Sequence, residues 1–111
     1  MRDLGGKDNP NFLTELINQF LSDTEKQLPL LKEAVLKEDA QTLAKIAHLL
    51  KGSSGALGAK TMQTLCARIQ TLAESSAVAA TKELSDVLHQ EYKRVHDALE
   101  AAKQEKWRDH A

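Results

Sequence analysis

Apolar residues recur at helical spacing along most of this chain, with polar residues between them. The first such stretch begins at Asn9-Pro10, where asparagine suits an N-cap and proline the first helical position. It continues to Val35, and Pro29 interrupts it because proline lacks the backbone N–H that a helix interior uses. We therefore expect either one long helix with a kink near Pro29 or two helices divided there.

Three further amphipathic stretches follow, separated by short polar breaks. The second lies between Asp39, a suitable N-cap, and Gly58, a natural helix stop. Its predicted core stripe is Leu43, Ile46, Ala47, Leu50, Ser54 and Leu57. The third stretch closes at Glu74-Ser75-Ser76. The fourth has a predicted buried stripe of Leu84, Val87, Leu88, Tyr92, Val95, Leu99 and Ala102.

Four amphipathic helices joined by short connections predict an all-α fold, an antiparallel four-helix bundle. The composition agrees, since glycine (5) and proline (2) are scarce and good helix formers are abundant. Residues 1–9 are predicted as a lead-in segment with at most a short helical turn, and residues 10–103 as the bundle. Residues 104–111 are predicted as a frayed polar tail.

Charge and cysteine content narrow the possible partners and compartment. The 15 basic and 16 acidic residues are spread along the chain without the basic face of a nucleic-acid-binding protein, so we expect no nucleic-acid partner. No apolar run approaches the roughly 18 residues of a membrane span, so we expect no membrane insertion. The single Cys66 fits a reducing compartment, and a cytoplasmic location is expected. No leftover apolar stripe demands a dimer, and we expect a monomer.

His48 lies on the second predicted helix, roughly 180–200° from the core stripe, and is expected to face solvent. Two glycines on its face, Gly52 and Gly55, each cost a helix about 1 kcal/mol relative to alanine. They leave bare backbone beside the imidazole, which lets another molecule approach. Lys51, one turn away, places a positive charge where an anion on the ring would lie. These features suit a transferable phosphoryl group, although spacing alone also fits an ordinary exposed histidine.

The segment Ala47-His48-Leu49-Leu50-Lys51-Gly52-Ser53-Ser54, followed by Leu57-Gly58-Ala59, closely resembles the motif of histidine-containing phosphotransfer (HPt) domains. An upstream apolar pattern and the run from Leu65 to Gln70 also look like this family, so the resemblance covers about residues 10–102. It implies a four-helix bundle with a reactive histidine. That histidine accepts a phosphoryl group from the aspartyl phosphate of one receiver domain and passes it to another.

The resemblance also implies roles for individual residues. His48 is the expected phosphoacceptor, attacking through Nε2, and Lys51 is the expected phosphate-stabilising cation. Gln70, on the third helix, matches a position that contacts the histidine ring in some members, and it is expected to orient the ring. The receiver is expected to dock on Ala44, Lys45, Gly52 and Gly55.

A protein with this resemblance is a phosphoryl carrier in a multistep two-component phosphorelay rather than an enzyme with its own ATP site. The chain has no recognisable nucleotide-binding glycine box or Walker loop. The implied partners are receiver domains of response regulators, as donor and acceptor. We predict no metal site and no bound cofactor, because no acidic cluster suits Mg2+, which is expected from the receiver. A free-standing protein and the C-terminal domain of a hybrid sensor histidine kinase both remain open.

Two alternatives compete with this interpretation. The dimerisation and phosphoacceptor helical domain of a sensor kinase typically has an acidic residue directly after the histidine, where this chain has Leu49. A non-catalytic helical adaptor would accept no phosphoryl group. A metal site is not favoured by His89 and His96, because they lie two helical turns apart and no third ligand is evident.

Overall fold

The computed structural model describes residues 11–110, and side-chain surroundings for residues 11–104. It contains four α-helices: α1 (Phe12–Leu36), α2 (Ala40–Ala56), α3 (Lys60–Glu74) and α4 (Lys82–His110). A short 3-10 helix, Val78–Thr81, precedes α4. The predicted all-α four-helix bundle is confirmed. The predicted lead-in and the helix start at Asn9-Pro10 lie outside the described residues.

Helix α1 runs without interruption through Pro29, so the predicted alternative of two divided helices is wrong. Proline at this position removes the hydrogen bond to the carbonyl of Glu25, four residues earlier. Both Pro29 and Glu25 are exposed, so solvent can reach the carbonyl that loses its helical donor. The inward face of α1 is unaffected, and Leu28 and Leu31 on either side of Pro29 are buried.

The three connections between helices end the preceding helix in the same way. Each contains one residue in the left-handed region: Glu38 (φ 54°), Gly58 (φ 77°) and Ser76 (φ 60°). The next residue donates its N–H to the carbonyl five positions earlier, over 2.8–2.9 Å. This C-capping pattern stops a helix sharply, so consecutive helices turn back on one another. Sequence patterning predicted the stop at Gly58, the one residue type of the three that favours positive φ.

The core lies between the helices, and one residue of the predicted stripes of α2 and α4 is exposed. Val87 was predicted to be buried but is 44% exposed. Ser85, Leu88, Tyr92 and Val95 are buried and follow one another at intervals of three or four residues along α4. Val87 lies about 100° around the helix from Leu88 and therefore falls outside that stripe. Ser85 occupies the buried position instead, and a search for apolar residues at helical spacing does not select a serine.

Tyr92 joins α4 to α1 at the edge of the core. Its hydroxyl donates to Oε2 of Glu25 over 2.7 Å and lies 3.3 Å from the carbonyl oxygen of Leu21. Burial, together with the hydrogen bond to Glu25, raises the pKa of Tyr92 above its ordinary value. The link fixes the register between the first and last helices.

Helix α4 continues to His110, so the backbone of residues 104–110 is helical where the sequence predicted a polar tail. The domain boundaries themselves stay a prediction. Within residues 11–110, none of the helices combines the length and apolarity needed to cross a bilayer.

Candidate functional site

Helix α2 positions His48 on the outside of the bundle. Asp39 caps its start by accepting a hydrogen bond from the backbone N–H of Thr42 over 3.2 Å, and this bonding holds the pKa of the Asp39 carboxyl below its ordinary value. The buried side of α2 comprises Leu43, Ile46, Ala47, Leu50 and Ser54. His48 is exposed on the opposite side, as its position on the helical wheel predicted.

The Gly-Ser-Ser-Gly segment after His48 is helical rather than a loop. The buried Ser54 hydroxyl donates to the carbonyl of Leu50 over 2.6 Å and lies 3.2 Å from that of Lys51. The Ser53 hydroxyl lies 3.3 Å from the same Leu50 oxygen. Both serines therefore satisfy their hydroxyls within the helix, and α2 continues to Ala56 despite its two glycines.

An open cavity of about 450 Å³ lies beside the His48 ring, and its lining comes from both α2 and α3. It is lined by Ala44, Lys45, His48, Leu49, Gln70 and Glu74. The structure thus brings His48, the predicted phosphoacceptor, together with Gln70, which was predicted to orient the ring. Two of the predicted docking residues, Ala44 and Lys45, line the same cavity. Leu49 (59% exposed) and Glu74 were not predicted to belong to the site.

Gln70 is half-buried at this cavity. Its amide nitrogen Nε2 donates to Oε2 of Glu74 over 3.0 Å, whereas its carbonyl oxygen Oε1 is buried and has no hydrogen-bond partner. Gln70 therefore lies at the His48 cavity without being hydrogen-bonded to the ring. Its role in orienting the ring stays a prediction.

Lys51 and Gly52 lie on the other side of the His48 face. Lys51 is half-buried, and within residues 11–104 no carboxylate forms an ion pair with it. Gly52 is exposed, and a Cβ atom added there would meet no atom within 4 Å. The positive charge is thus available to an external anion, and the backbone beside it is open to an approaching molecule.

The exposed side chain of Gln63, on α3, lies over Gly55, a contact that the sequence did not reveal. A Cβ atom built there would contact the side-chain amide nitrogen of Gln63 and lie 2.9 Å from its Cδ. The bare backbone therefore lets Gln63, on α3, lie directly against α2. His48 lies seven residues before Gly55, and Gln70 lies seven residues after Gln63, so both pairs fit one antiparallel register. Receiver docking at Gly55 stays a prediction.

Leu49 separates this cavity from a smaller groove between α1 and α2. The groove, of about 180 Å³, is lined by Asp23, Lys26, Gln27, Leu49, Leu50 and Ser53. A single exposed leucine is common on protein surfaces, so Leu49 could not be selected from the sequence. Leu49 thus lies beside the exposed imidazole and lines both the cavity and the groove.

His89 and His96 are placed differently from His48. Nδ1 of His89 lies 2.8 Å from the Ser85 carbonyl oxygen, and His96 lies beside Asp97 and Glu100. Among the described residues, no group of three or more histidine, cysteine or acidic side chains is arranged to hold a metal ion.

The site around His48 offers an accessible imidazole nucleophile, a nearby cation and bare helix backbone.

Comparison with known proteins shows which family this sequence resembles. The sequence model of the Hpt domain matches residues 15–105. Histidine-containing phosphotransfer protein 1 of Arabidopsis thaliana is 28% identical over 105 residues, an alignment that covers 90% of this chain and 66% of that protein. This chain thus spans slightly less than two thirds of that relative's length.

Among solved structures, the fold is similar to that of histidine-containing phosphotransfer protein B from Pseudomonas aeruginosa. The two superpose with a TM-score of 0.80 at 25% sequence identity, over 86% of this chain and 82% of the other. The family model covers most of the bundle, including α2 with the His48 motif. On this sequence match and the shared fold, the chain belongs to the Hpt domain family.

Proposed function

We propose that this chain carries a phosphoryl group on His48 in a multistep two-component phosphorelay, between the aspartate of one receiver domain and that of another. One observation carries the proposal: the family's motif places His48 exposed on α2, beside a lysine without an ion-pair partner among residues 11–104 and a glycine with open space around it. Membership of the Hpt domain family supports the chemistry.

In the proposed transfer, the neutral imidazole of His48 attacks the phosphorus of an aspartyl phosphate through the lone pair on Nε2. The N–P bond forms as the P–O bond to the aspartate breaks, and the electrons of that bond leave with the aspartate carboxylate. The ring keeps its proton on Nδ1 and becomes positively charged. Attack by a second aspartate carboxylate on the same phosphorus reverses these changes and regenerates the neutral ring.

Phosphoryl transfer depends mainly on alignment and charge stabilisation, and this chain supplies part of each. The rigid helix α2 fixes the position of His48, and the Lys51 ammonium, one turn away, stabilises the negative charge of the phosphoryl oxygens. The aspartate comes from the receiver. We expect Mg2+ to come with the receiver too and to neutralise further charge on the phosphoryl oxygens.

The receiver is proposed to cover the surface formed by Ala44, Lys45, Gly52 and Gly55, with Leu49 as its apolar contact. The carrier is proposed to act as a cytoplasmic monomer without an ATP site. The buried Cys66, which is a free thiol, is compatible with a reducing compartment. The same scheme applies whether the chain acts alone or as the C-terminal domain of a hybrid sensor kinase.

Incubation with a phosphorylated receiver tests the proposal. The chain should gain an acid-labile phosphate, and His48→Gln should abolish the labelling. His96→Gln is the matched control, because His96 lies on α4 away from the cavity, and this variant should label normally. Full labelling of folded His48→Gln protein would refute the assignment. ATP alone should not label the wild-type chain.

A second experiment tests the docking surface. Gly52→Gln should leave the fold intact, because a side chain at Gly52 extends into open space, but it should slow transfer from the receiver by obstructing approach to His48. Ala101→Gln, at an exposed position on α4, is the control and should transfer at the wild-type rate. An unchanged transfer rate in folded Gly52→Gln protein would show that the receiver docks elsewhere.

A further inference from the structure

Glu74 is an acidic residue at a cavity where a negatively charged phosphoryl group is proposed to be attached. It lines the same cavity as His48, at the last position of α3. An ionised Glu74 carboxylate would repel a negatively charged phosphoryl group on His48. In the described part of the chain, the Glu74 carboxylate has one hydrogen bond. Nε2 of Gln70 donates it to Oε2 of Glu74 over 3.0 Å.

The hydrogen bond to Glu74 decides which way the Gln70 amide faces. An ionised carboxylate only accepts hydrogen bonds, whereas a glutamine amide has a donor end and an acceptor end. The end of Gln70 that meets Glu74 must therefore be Nε2, and Oε1 must be the opposite end. The nitrogen and oxygen of a glutamine amide are usually told apart by their hydrogen bonds. Here the Glu74 carboxylate, which can only accept, identifies the end of Gln70 that it meets as the nitrogen.

Oε1 of Gln70 is left as a buried acceptor without a partner. Such an acceptor has lost its hydration without gaining a hydrogen bond, so it favours any nearby donor. His48 lines the same cavity and has a ring N–H to donate. Because Gln70 lines that cavity too, the His48 ring N–H is a candidate donor for Oε1.

We propose that Glu74 is a positioning residue: its carboxylate holds the Gln70 amide so that Oε1, not Nε2, is presented to the imidazole of His48. An acceptor beside the ring selects the tautomer protonated on the nitrogen that faces it. In this proposal that nitrogen is Nδ1, which leaves the lone pair on Nε2 free to attack phosphorus. The inference rests on the proposed function and extends it to a residue that acts through Gln70.

The same arrangement favours the phosphorylated state. When the N–P bond forms on Nε2, the ring retains its Nδ1 proton and becomes positively charged, so its N–H becomes a stronger donor to Oε1. An amide turned the other way would point its own N–H at the ring and oppose that proton. Glu74 thus stabilises the productive amide orientation in both states of His48.

The tautomer of His48 in the unphosphorylated protein tests the proposal directly. Long-range 15N–1H NMR spectra of the neutral imidazole should show His48 mainly protonated on Nδ1. Glu74→Gln preserves size but can either accept from Gln70 or donate to it, so the tautomers should become mixed. Glu83→Gln, an exposed carboxylate at the start of α4, is the control and should leave the tautomer unchanged.

A double-mutant cycle separates positioning from a direct charge effect. Positioning predicts that Glu74→Gln slows transfer about two- to fivefold, as the competent population falls to half or less, and has no further effect in a Gln70→Ala background. Direct repulsion between Glu74 and the phosphoryl group predicts the opposite sign, a faster transfer in both backgrounds. Faster transfer, or equal slowing in both backgrounds, would overturn the proposal.

The tautomer measurement needs no receiver and no phosphate. An unchanged tautomer in folded Glu74→Gln protein would therefore refute the role of Glu74 while leaving phosphoryl transfer on His48 untouched. Conversely, a chain that shifts its tautomer as expected but accepts no phosphoryl group would refute the proposed function alone.

Discussion

At the scale of single residues, the proposed chemistry of His48 depends on neighbours from its own helix and from the next one. Its own helix contributes Lys51 and Gly52, which the sequence could select because residues three and four apart share a helix face. The contact of Gly55 with Gln63 and the presence of Glu74 at the cavity depend on how α3 packs against α2. Spacing within one helix carries no information about that packing.

The charge of Lys51 should contribute to transfer without being essential. A charge contact at a half-exposed site is worth on the order of 1 kcal/mol, so Lys51→Met should slow phosphoryl transfer about fivefold. Methionine keeps the apolar stem, and Lys51→Arg, which restores the charge, should recover most of the rate. Rapid-quench measurement of transfer from a phosphorylated receiver gives these rates. Equal rates for Lys51→Met and the surface control Lys82→Met would rule out the role.

At the scale of elements, α2 shows which helix signals were readable in the sequence. Asp39 and Gly58 marked its ends correctly, because N-cap and left-handed C-terminal positions favour those residue types. Glu38 and Ser76 adopt the same left-handed conformation, yet their side chains give no such signal. The helix also continues through Gly-Ser-Ser-Gly, since tertiary packing and the serine hydrogen bonds outweigh low helix propensity.

Gly52, within α2, and Gly58, in the connection that follows it, should respond to alanine with opposite signs. Gly52→Ala should raise the free energy of unfolding by about 0.5–1 kcal/mol, because the site is helical and has open space around it. Gly58→Ala should lower it by about 1–2 kcal/mol, because φ is +77° there and an alanine Cβ is strained. Urea denaturation of both variants gives the two values. A Gly58→Ala protein as stable as wild type would contradict the left-handed helix end.

At the scale of the whole molecule, the bundle was predictable because apolar residues at helical spacing specify which faces meet. Ser54 was predicted to lie on the core stripe of α2, but the other polar members of the core were not predictable in this way. Thr24, Thr81 and Ser85 are all buried, and Ser85 occupies the inner position that Val87 was expected to fill. The Thr81 hydroxyl donates to the Val78 carbonyl in its own turn, which lets this polar residue be buried, whereas the buried Thr24 hydroxyl has no hydrogen-bond partner among the described residues.

The buried thiol of Cys66 should make the stability of the bundle decrease at alkaline pH. Burial raises the pKa of Cys66 to about 12, whereas an exposed thiol titrates near 8.5. Between these values only the unfolded chain loses the proton, so the free energy of unfolding falls as pH rises. Relative to Cys66→Ala, the wild type should lose about 2 kcal/mol between pH 8 and 10 in urea denaturation. Identical pH dependence of the two proteins would show that the thiol is accessible.

We propose that Nε2 of His48 bears the phosphoryl group. The direct test is 15N–31P NMR of the phosphorylated chain. The protein would be labelled with 15N-histidine and phosphorylated by a phosphorylated receiver. We predict a one-bond 15N–31P coupling to Nε2 of His48 that disappears on acid treatment. Coupling to Nδ1, coupling to another histidine, or an acid-stable phosphate on a different residue type would contradict it.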